Sequence, residues 1–274
     1  LVMRPDQGLA EARMDAEKAQ LAQHLATLSD REKSDLIDAA GKLAERQEEV
    51  DDPDLLPKVE LSDVPRKLVI PTGFTEPVGG MPASWFDQAT NGLVYQQLVV
   101  ELPELSAELV DLLPLYAVCL TEVGCGEHDY LAMQQRQAAV TGGIHASTAV
   151  RSHADSLGQS RATLVLSGKA LVRKHGQLSE LLHRTFCTAR FDELERIREL
   201  TAQIRGAAEM GITDHGHALA MSAASAGLSP AAALSERWDG LSAVKQIKQL
   251  DSALNDPAAL QTLADKLGQL HAQL

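Results

Sequence analysis

Eleven prolines divide this chain unevenly, and that division constrains the fold more than any other feature. None falls between Pro5 and Pro53, whereas Pro53, Pro57 and Pro65 crowd into residues 51–66. A helix interior rejects proline because the ring removes an amide donor and clashes with the carbonyl four residues back. The first 50 residues can therefore be helical, and residues 51–66 read as an extended connection. Charge follows the same division. Residues 1–60 carry 8 Lys/Arg against 15 Asp/Glu, a net of −7 out of −13 for the whole chain. Within this zone Leu21, Leu25 and Leu28 share one helical face, as do Leu36, Ala40 and Leu43. Between them Ser29 and Glu32 have capping-box spacing, which starts a second helix. Two helices joined by a tight turn follow, a hairpin whose apolar stripes are narrow enough to need support from elsewhere. The division assigns residues 1–62 to a helical hairpin linker and residues 63–274 to a separate domain.

Beyond the connection the periodicity changes. Residues 67–70 and 85–90 read as strands, and Asn91-Gly92 is a type I′ hairpin-turn signal because both positions tolerate positive φ. Residues 93–102 alternate, with Val94, Leu98, Val100 and Leu102 on one face. Leu93, Tyr95 and Val99 make the other face partly apolar, which predicts a central strand covered on both sides. Pro114 fits the first turn of a helix running to about Val123. A second helix spans about 128–140, strands 144–151 and 161–167 follow, and the chain is then helical almost to its end. Asp192 starts a helix that turns Leu194, Ile197, Leu200 and Ile204 inward. Ser229-Pro230 and Asp256-Pro257 start two more. The expected class is α+β, a mostly antiparallel sheet with helices packed on one face.

Composition excludes several functions. A chain of 274 residues, 45% hydrophobic, builds a core without disulfides or metal. A net charge of −13 and 3% aromatics argue against nucleic acid and against anionic membranes as partners. No apolar run reaches the roughly 18 residues of a membrane span. Cys119, Cys125 and Cys187 are an odd, sparse set that reads as a reducing compartment. The chain starts at Leu1 rather than Met, which reads as an excised segment.

Candidate chemistry is sparse. Nine histidines include no His-Glu-x-x-His or His-x-x-Glu-His spacing. Cys119, Cys125 and His128 offer three loosely spaced metal donors around a Gly-Cys-Gly turn, against the plainer reading of structural residues. Cys125 with His128 is also a nucleophile–base candidate, if the turn exposes the thiol. His215 and His217 flank Gly216 at a helix entry and read as packing or solvent-facing groups. Gly168-Lys169-Ala170 lacks the hydroxyl of a phosphate loop. Arg173, Lys174 and His175, with Arg184 and Arg190 downstream, form the most basic stretch, which reads as a solvated helix face.

Several phrases in order carry a resemblance. These are Asn91-Gly92-Leu93-Val94-Tyr95, Leu113-Pro114-Leu115-Tyr116, Thr121-Glu122-Val123-Gly124-Cys125-Gly126, Asp129-Tyr130 and Thr141-Gly142-Gly143-Ile144. Together with Leu28-Ser29, Glu32, Gln47, Leu56-Pro57 and Asp63-Val64-Pro65 they resemble the hairpin linker and third domain of presequence-protease-type enzymes, a branch of the pitrilysin/insulinase zinc metallopeptidases. The resemblance covers about residues 5–255. It implies four related α/β domains in two bowl-shaped halves that close around unfolded peptides, joined by the hairpin. It places zinc only in the first domain of the parent protein, on a His-x-x-Glu-His helix. The matching positions here are Leu115, Tyr116, Ala117, Val118 and Cys119, so both histidines and the glutamate are missing and no cofactor is expected in this segment. The implied role is a non-catalytic chamber wall and hinge, with the remaining domains of its own chain and unfolded peptides as partners. A catalytically dead structural or binding subunit, like processing-peptidase partners and respiratory core proteins, is the alternative. The implied compartment is the cytoplasm for a bacterial parent, and the mitochondrial matrix or a similar organelle for a eukaryotic one.

Overall fold

Why the N-terminal zone is helical is visible at its midpoint. The computed structural model describes residues 8–50, 52, 56–67 and 70–274, and the chain divides into compact units between Ser84 and Trp85. In the smaller unit, α1 (Leu9–Thr27) and α2 (Asp30–Glu48) are separated by Leu28 and Ser29. The Ser29 hydroxyl accepts from the Glu32 amide at 3.3 Å, and the Glu32 carboxylate accepts from the Ser29 amide at 2.8 Å. The capping box thus forms as expected, and the Ser29 hydroxyl, donating to the Glu32 carboxylate at 2.7 Å, together with the Ser29 amide holds that carboxyl below the usual carboxylate range. No side chain of either helix is buried; Leu21, Leu25, Leu36 and Leu43 are each more than half exposed.

Residues 74–85 hold a hairpin that was not among the expected elements. Strand β1 (Phe74–Val78) returns as β2 (Met81–Trp85) through Gly79 and Gly80, whose φ values are 58° and 86°. A turn with two positive φ angles strongly favours such a pair. The strand expected over residues 85–90 therefore ends where it was to begin, and residues 86–90 are irregular. Of the strand expected over 67–70, Leu68 and Val69 lie outside the described residues, as does Pro53 of the connection; Lys67 and Ile70 carry no strand.

In the larger unit the Asn91-Gly92 turn forms with φ of 50° and 78°. It does not join two paired strands. Strand β3 (Leu93–Glu101) instead pairs with β5 (Ser156–Leu171), which also pairs with β4 (Ile144–His153), giving the antiparallel order β3-β5-β4. This corrects the expectation of a doubly covered central strand: β3 is an edge strand, and Tyr95, Gln97 and Val99 on its second face are exposed. The other sheet face, with Ala146, Leu164, Leu166 and Ala170, is buried. It packs against helices α3 (Ala107–Glu122), α5 (His175–Thr188) and α8 (Pro230–Asp239). Gly168 lets α5 press close, because a Cβ there would lie 2.7 Å from Leu178. Helix α4 (Tyr130–Val140) follows α3, and α6 (Leu194–Asp214), α7 (Gly216–Ser225), α9 (Leu241–Ala253) and α10 (Pro257–Gln273) complete the unit. Ser229 and Asp256 cap α8 and α10 through Ala232 and Ala258 amides, with proline next in line as expected.

Pro114 does not open α3. The helix starts at Ala107, capped by Ser106, and Pro114 sits inside it. The missing amide leaves the Val110 carbonyl without its intrahelical donor. The Trp238 indole of α8 supplies one, its Nε1–H donating to Val110 at 2.8 Å. One proline thereby fixes where α8 must cross α3. Trp238→Phe keeps the ring packing but orphans the carbonyl, and is expected to cost about 1–3 kcal/mol in urea unfolding. Adding Pro114→Ala restores an intrahelical donor, so the double variant should recover much of that loss.

Candidate functional site

The segment singled out by the resemblance lies deep in the larger unit. Leu115, Tyr116, Ala117 and Cys119 are buried on α3, and Val118 is half-buried. Burial pushes the Cys119 thiol up to about 12 and raises the Tyr116 phenol as well, so neither offers an anion near neutral pH. The Tyr116 hydroxyl is paired with His271 Nδ1 of α10 at 2.8 Å. Phe191 completes an aromatic group, its ring centroid 5.7 Å from Tyr116 and 5.6 Å from His271. Desolvation holds His271 below its usual pKa. A zinc centre needs three deprotonated ligands facing an open position. This stretch offers one protonated sulfur and one engaged phenol, so its donor set does not fit that ion. Among the described residues no group of three or more His, Cys, Asp or Glu side chains is placed to hold a metal.

The turn after α3 is organised by a residue that no motif marks. Glu193 accepts from the Gly124 amide at 2.6 Å and from the Tyr130 amide at 3.0 Å. One carboxylate thus closes the α3–α4 junction and satisfies the start of α4, where Asp129 also caps Ala132. Gly124 is obligatory there: a Cβ would sit 2.6 Å from the His128 carbonyl oxygen and 2.9 Å from Glu193. Arg196 of α6 donates to the Glu122 carbonyl at 3.2 Å and to its carboxylate at 2.6 Å, and its guanidinium lies 4.8 Å from the centre of the Tyr130 ring. A cation at the C-terminal end of α3 also meets the negative end of the helix dipole. Glu193 and Arg196 lie more than 60 residues from their partners, so no local spacing could have revealed them.

The turn does not expose the Cys125 thiol, the condition its candidacy as a nucleophile required. Cys125 is buried, exchanging backbone hydrogen bonds with His128 at 2.9 and 3.1 Å. Desolvation pushes its thiol up to about 11. The His128 ring is engaged with Arg136. The pair is a backbone bridge at a helix junction, without the activated thiolate a nucleophile requires. The basic stretch is also dispersed. Lys174 donates to the Ala139 carbonyl, Arg184 pairs with Glu180, and Arg190 faces Asp192 and Glu193. His215 lies at the α6–α7 junction and borders a large concavity, while His217 is exposed. That concavity, about 1300 Å³, is walled by α3 and by α6 to α10. Lys169 belongs to β5, its stem lying against Gly142.

Comparison with known proteins identifies the family of the chain. Residues 3–250 match the family described as associated with peptidase M16, subfamily C. The chain is 30% identical to the mitochondrial presequence protease of Danio rerio over 252 residues, which are 91% of this chain and 24% of that protein. It is 30% identical to the Xenopus tropicalis protein of the same name over the same shares. It is 25% identical to that of Schizosaccharomyces pombe over 249 residues, 90% of this chain and 25% of that protein. The chain spans about a quarter of the length of these curated relatives.

Three outcomes test the site as built. Glu193→Ala strips the acceptor from two amides and is expected to cost about 2–3 kcal/mol in chemical unfolding. A thiol reagent at neutral pH should react rapidly with exposed Cys187 alone, with Cys119 and Cys125 following only on unfolding. Because the folded-state pKa of His271 lies below its unfolded value, the unfolded chain takes the proton first as pH falls. Stability should therefore decline on acidification below about 6.5, and His271→Phe should remove that share of the slope in melting curves recorded from pH 8 to 5.

Proposed function

Because the chain belongs to the family associated with subfamily C of the M16 metallopeptidases, within the presequence-protease-type branch, we propose that it forms a chamber wall and hinge of a parent enzyme that degrades unstructured oligopeptides. The observation that carries the reading is the burial of α3. Leu115, Tyr116, Ala117, Val118 and Cys119 stand where the parent's zinc helix would carry two histidines and a glutamate. Here they are core: Leu113, Tyr116, Cys119 and Leu120 have no exposed surface. Water activation needs an open metal position and a carboxylate base beside it, and this apolar, buried stretch provides neither. The parent's zinc belongs to its first domain, outside this chain. The fold of a peptidase domain is kept while its helix has become a packing element.

The smaller unit supports the hinge assignment. Its two acidic helices expose their leucines, so they require cover that lies elsewhere in the parent polypeptide. The remaining domains of the same chain are the proposed partners, together with unfolded peptides. The proposed compartment is a mitochondrion or plastid for a eukaryotic parent, as printed for the relatives, and the cytoplasm for a bacterial one. Among the described residues no helix is long and apolar enough to cross a membrane.

A peptidase assay on the parent protein, with and without a zinc chelator and beside this chain alone, tests the reading. The parent should cleave unstructured peptides and lose that activity with chelator, while this chain stays inert. A parent that is inert with zinc supplied would transfer the assignment to a dead structural subunit.

A further inference from the structure

A smaller concavity, of about 320 Å³, lies on the three-stranded sheet. Its shape follows from strand register. Ser167 of β5 stands directly opposite Gln97 of β3 and His145 of β4, and Lys169, two residues on, stands opposite Tyr95. Opposed residues, and residues two apart on one strand, share a sheet face. Four long side chains therefore surround one short one. Tyr95, Gln97, His145 and Lys169 are exposed and form the walls, and half-buried Ser167 is the floor. Gly142 and Gly143 add no side chain on the remaining side. The inner side of Gly168 is filled by Leu178 and Leu182 of α5, so the concavity opens away from the helices.

Its charge runs against that of the chain. The protein has 38 Asp and Glu against 25 Lys and Arg, yet the lining holds a lysine and a histidine and no carboxylate. Glu101, farther along the same face of β3, is taken by Arg161 at 2.9 Å. Among the described residues the Lys169 ammonium, the His145 ring, the Gln97 amide and the Tyr95 hydroxyl have no protein partner. The Lys169 stem lies across Gly142, its Cε 3.1 Å from where a Cβ would stand. That placement reduces the freedom the ammonium loses when it binds. These properties narrow the ligand. The volume lies at the low end of the roughly 300–1000 Å³ of small-molecule pockets. A set of donors with no opposing carboxylate selects an anion. A planar carboxylate pairs best with the fork of arginine, which the lining lacks. Donors standing on three strands around one floor instead suit a tetrahedral oxyanion, which accepts from several sides. The exposed Tyr95 ring offers a flat apolar surface to the group that carries it.

We propose that this concavity binds a small phosphate monoester, the phosphate held by Lys169, His145 and Gln97 and the organic group lying against Tyr95. Gly168-Lys169-Ala170 acts here from a strand, not from a phosphate loop. The proposal goes beyond the peptidase reading and is independent of it, because every residue it uses lies on or beside the sheet, on the face opposite the helical cover.

The probe is phenyl phosphate, titrated at constant ionic strength into the nitrogen-15-labelled chain and followed by amide shifts. Benzoate and inorganic phosphate are the comparators. Phenyl phosphate should give saturable shifts confined to residues 95–97, 142–145 and 167–169, with a Kd of about 0.1–1 mM, ordinary for a ligand this small. Benzoate should bind at least tenfold more weakly. Lys169→Ala should weaken binding at least tenfold, and Lys169→Arg, which keeps the charge, less than threefold. Tyr95→Ala should weaken phenyl phosphate two- to fivefold and leave inorganic phosphate unchanged. Both positions are exposed, so the remaining amide spectrum reports that each variant is folded. The parent protein, with a zinc chelator present, should broaden the phosphorus-31 resonance of phenyl phosphate whether or not it shows peptidase activity, and Lys169→Ala should abolish that broadening. Shifts that do not saturate or that spread over the surface, undiminished binding to Lys169→Ala, or benzoate binding as tightly as phenyl phosphate overturns the proposal. So does a parent protein that leaves the resonance sharp, since the concavity would then be covered by its other domains.

Discussion

A helix covered on most of its circumference sets the terms for everything around it. Helix α3 buries Leu109, Leu113, Leu115, Tyr116, Ala117, Cys119 and Leu120, more than one amphipathic face can present. It is covered by the sheet and by α6, α8 and α10. Each fully buried large side chain contributes roughly 1.5–3 kcal/mol relative to exposure. Such a helix cannot form at the surface, and the elements that cover it must assemble with it.

The polar groups of α3 decide how that cover is arranged. The Val110 carbonyl, freed by Pro114, is met by Trp238, which fixes α8. The Tyr116 hydroxyl is met by His271, which fixes α10. The end of the helix is met by Arg196 and its following turn by Glu193, which fix α6. Each of these groups finds its partner on a different part of the helical cover. The apolar surface supplies the driving force, and these hydrogen bonds supply the geometry, since leaving any one unmade costs more than making it gains. The same arrangement commits the ionisable groups of this stretch, the Tyr116 phenol and the Cys119 thiol, to the interior of the fold.

The resemblance and the buried helix direct attention to the same stretch by separate routes. One rests on ordered phrases such as Leu113-Pro114-Leu115-Tyr116 and Thr121-Glu122-Val123-Gly124. The other rests on exposure, protonation and hydrogen bonding. Gly124 joins them, because its place in the phrase has a physical reason in the 2.6 Å approach of the His128 carbonyl.

Features closed within a few residues were legible in the sequence. Ser29 with Glu32, Ser229-Pro230 and Asp256-Pro257 all formed as their residues dictate, Asn91-Gly92 took its positive φ angles without making a hairpin, and the α+β class followed from the change in periodicity. The Gly79-Gly80 hairpin carried the same kind of signal and was open to the same reading. The tertiary structure alone decided that β3 lies at an edge, that Pro114 sits inside a helix, that Cys125 is buried, and that Glu193 organises the α3–α4 junction. The physical reason is distance along the chain. A cap or turn is satisfied by atoms three or four residues away, so the sequence contains its whole cause. The partners of β3, Pro114 and Gly124 lie roughly 60 to 130 residues away, and only packing brings them together.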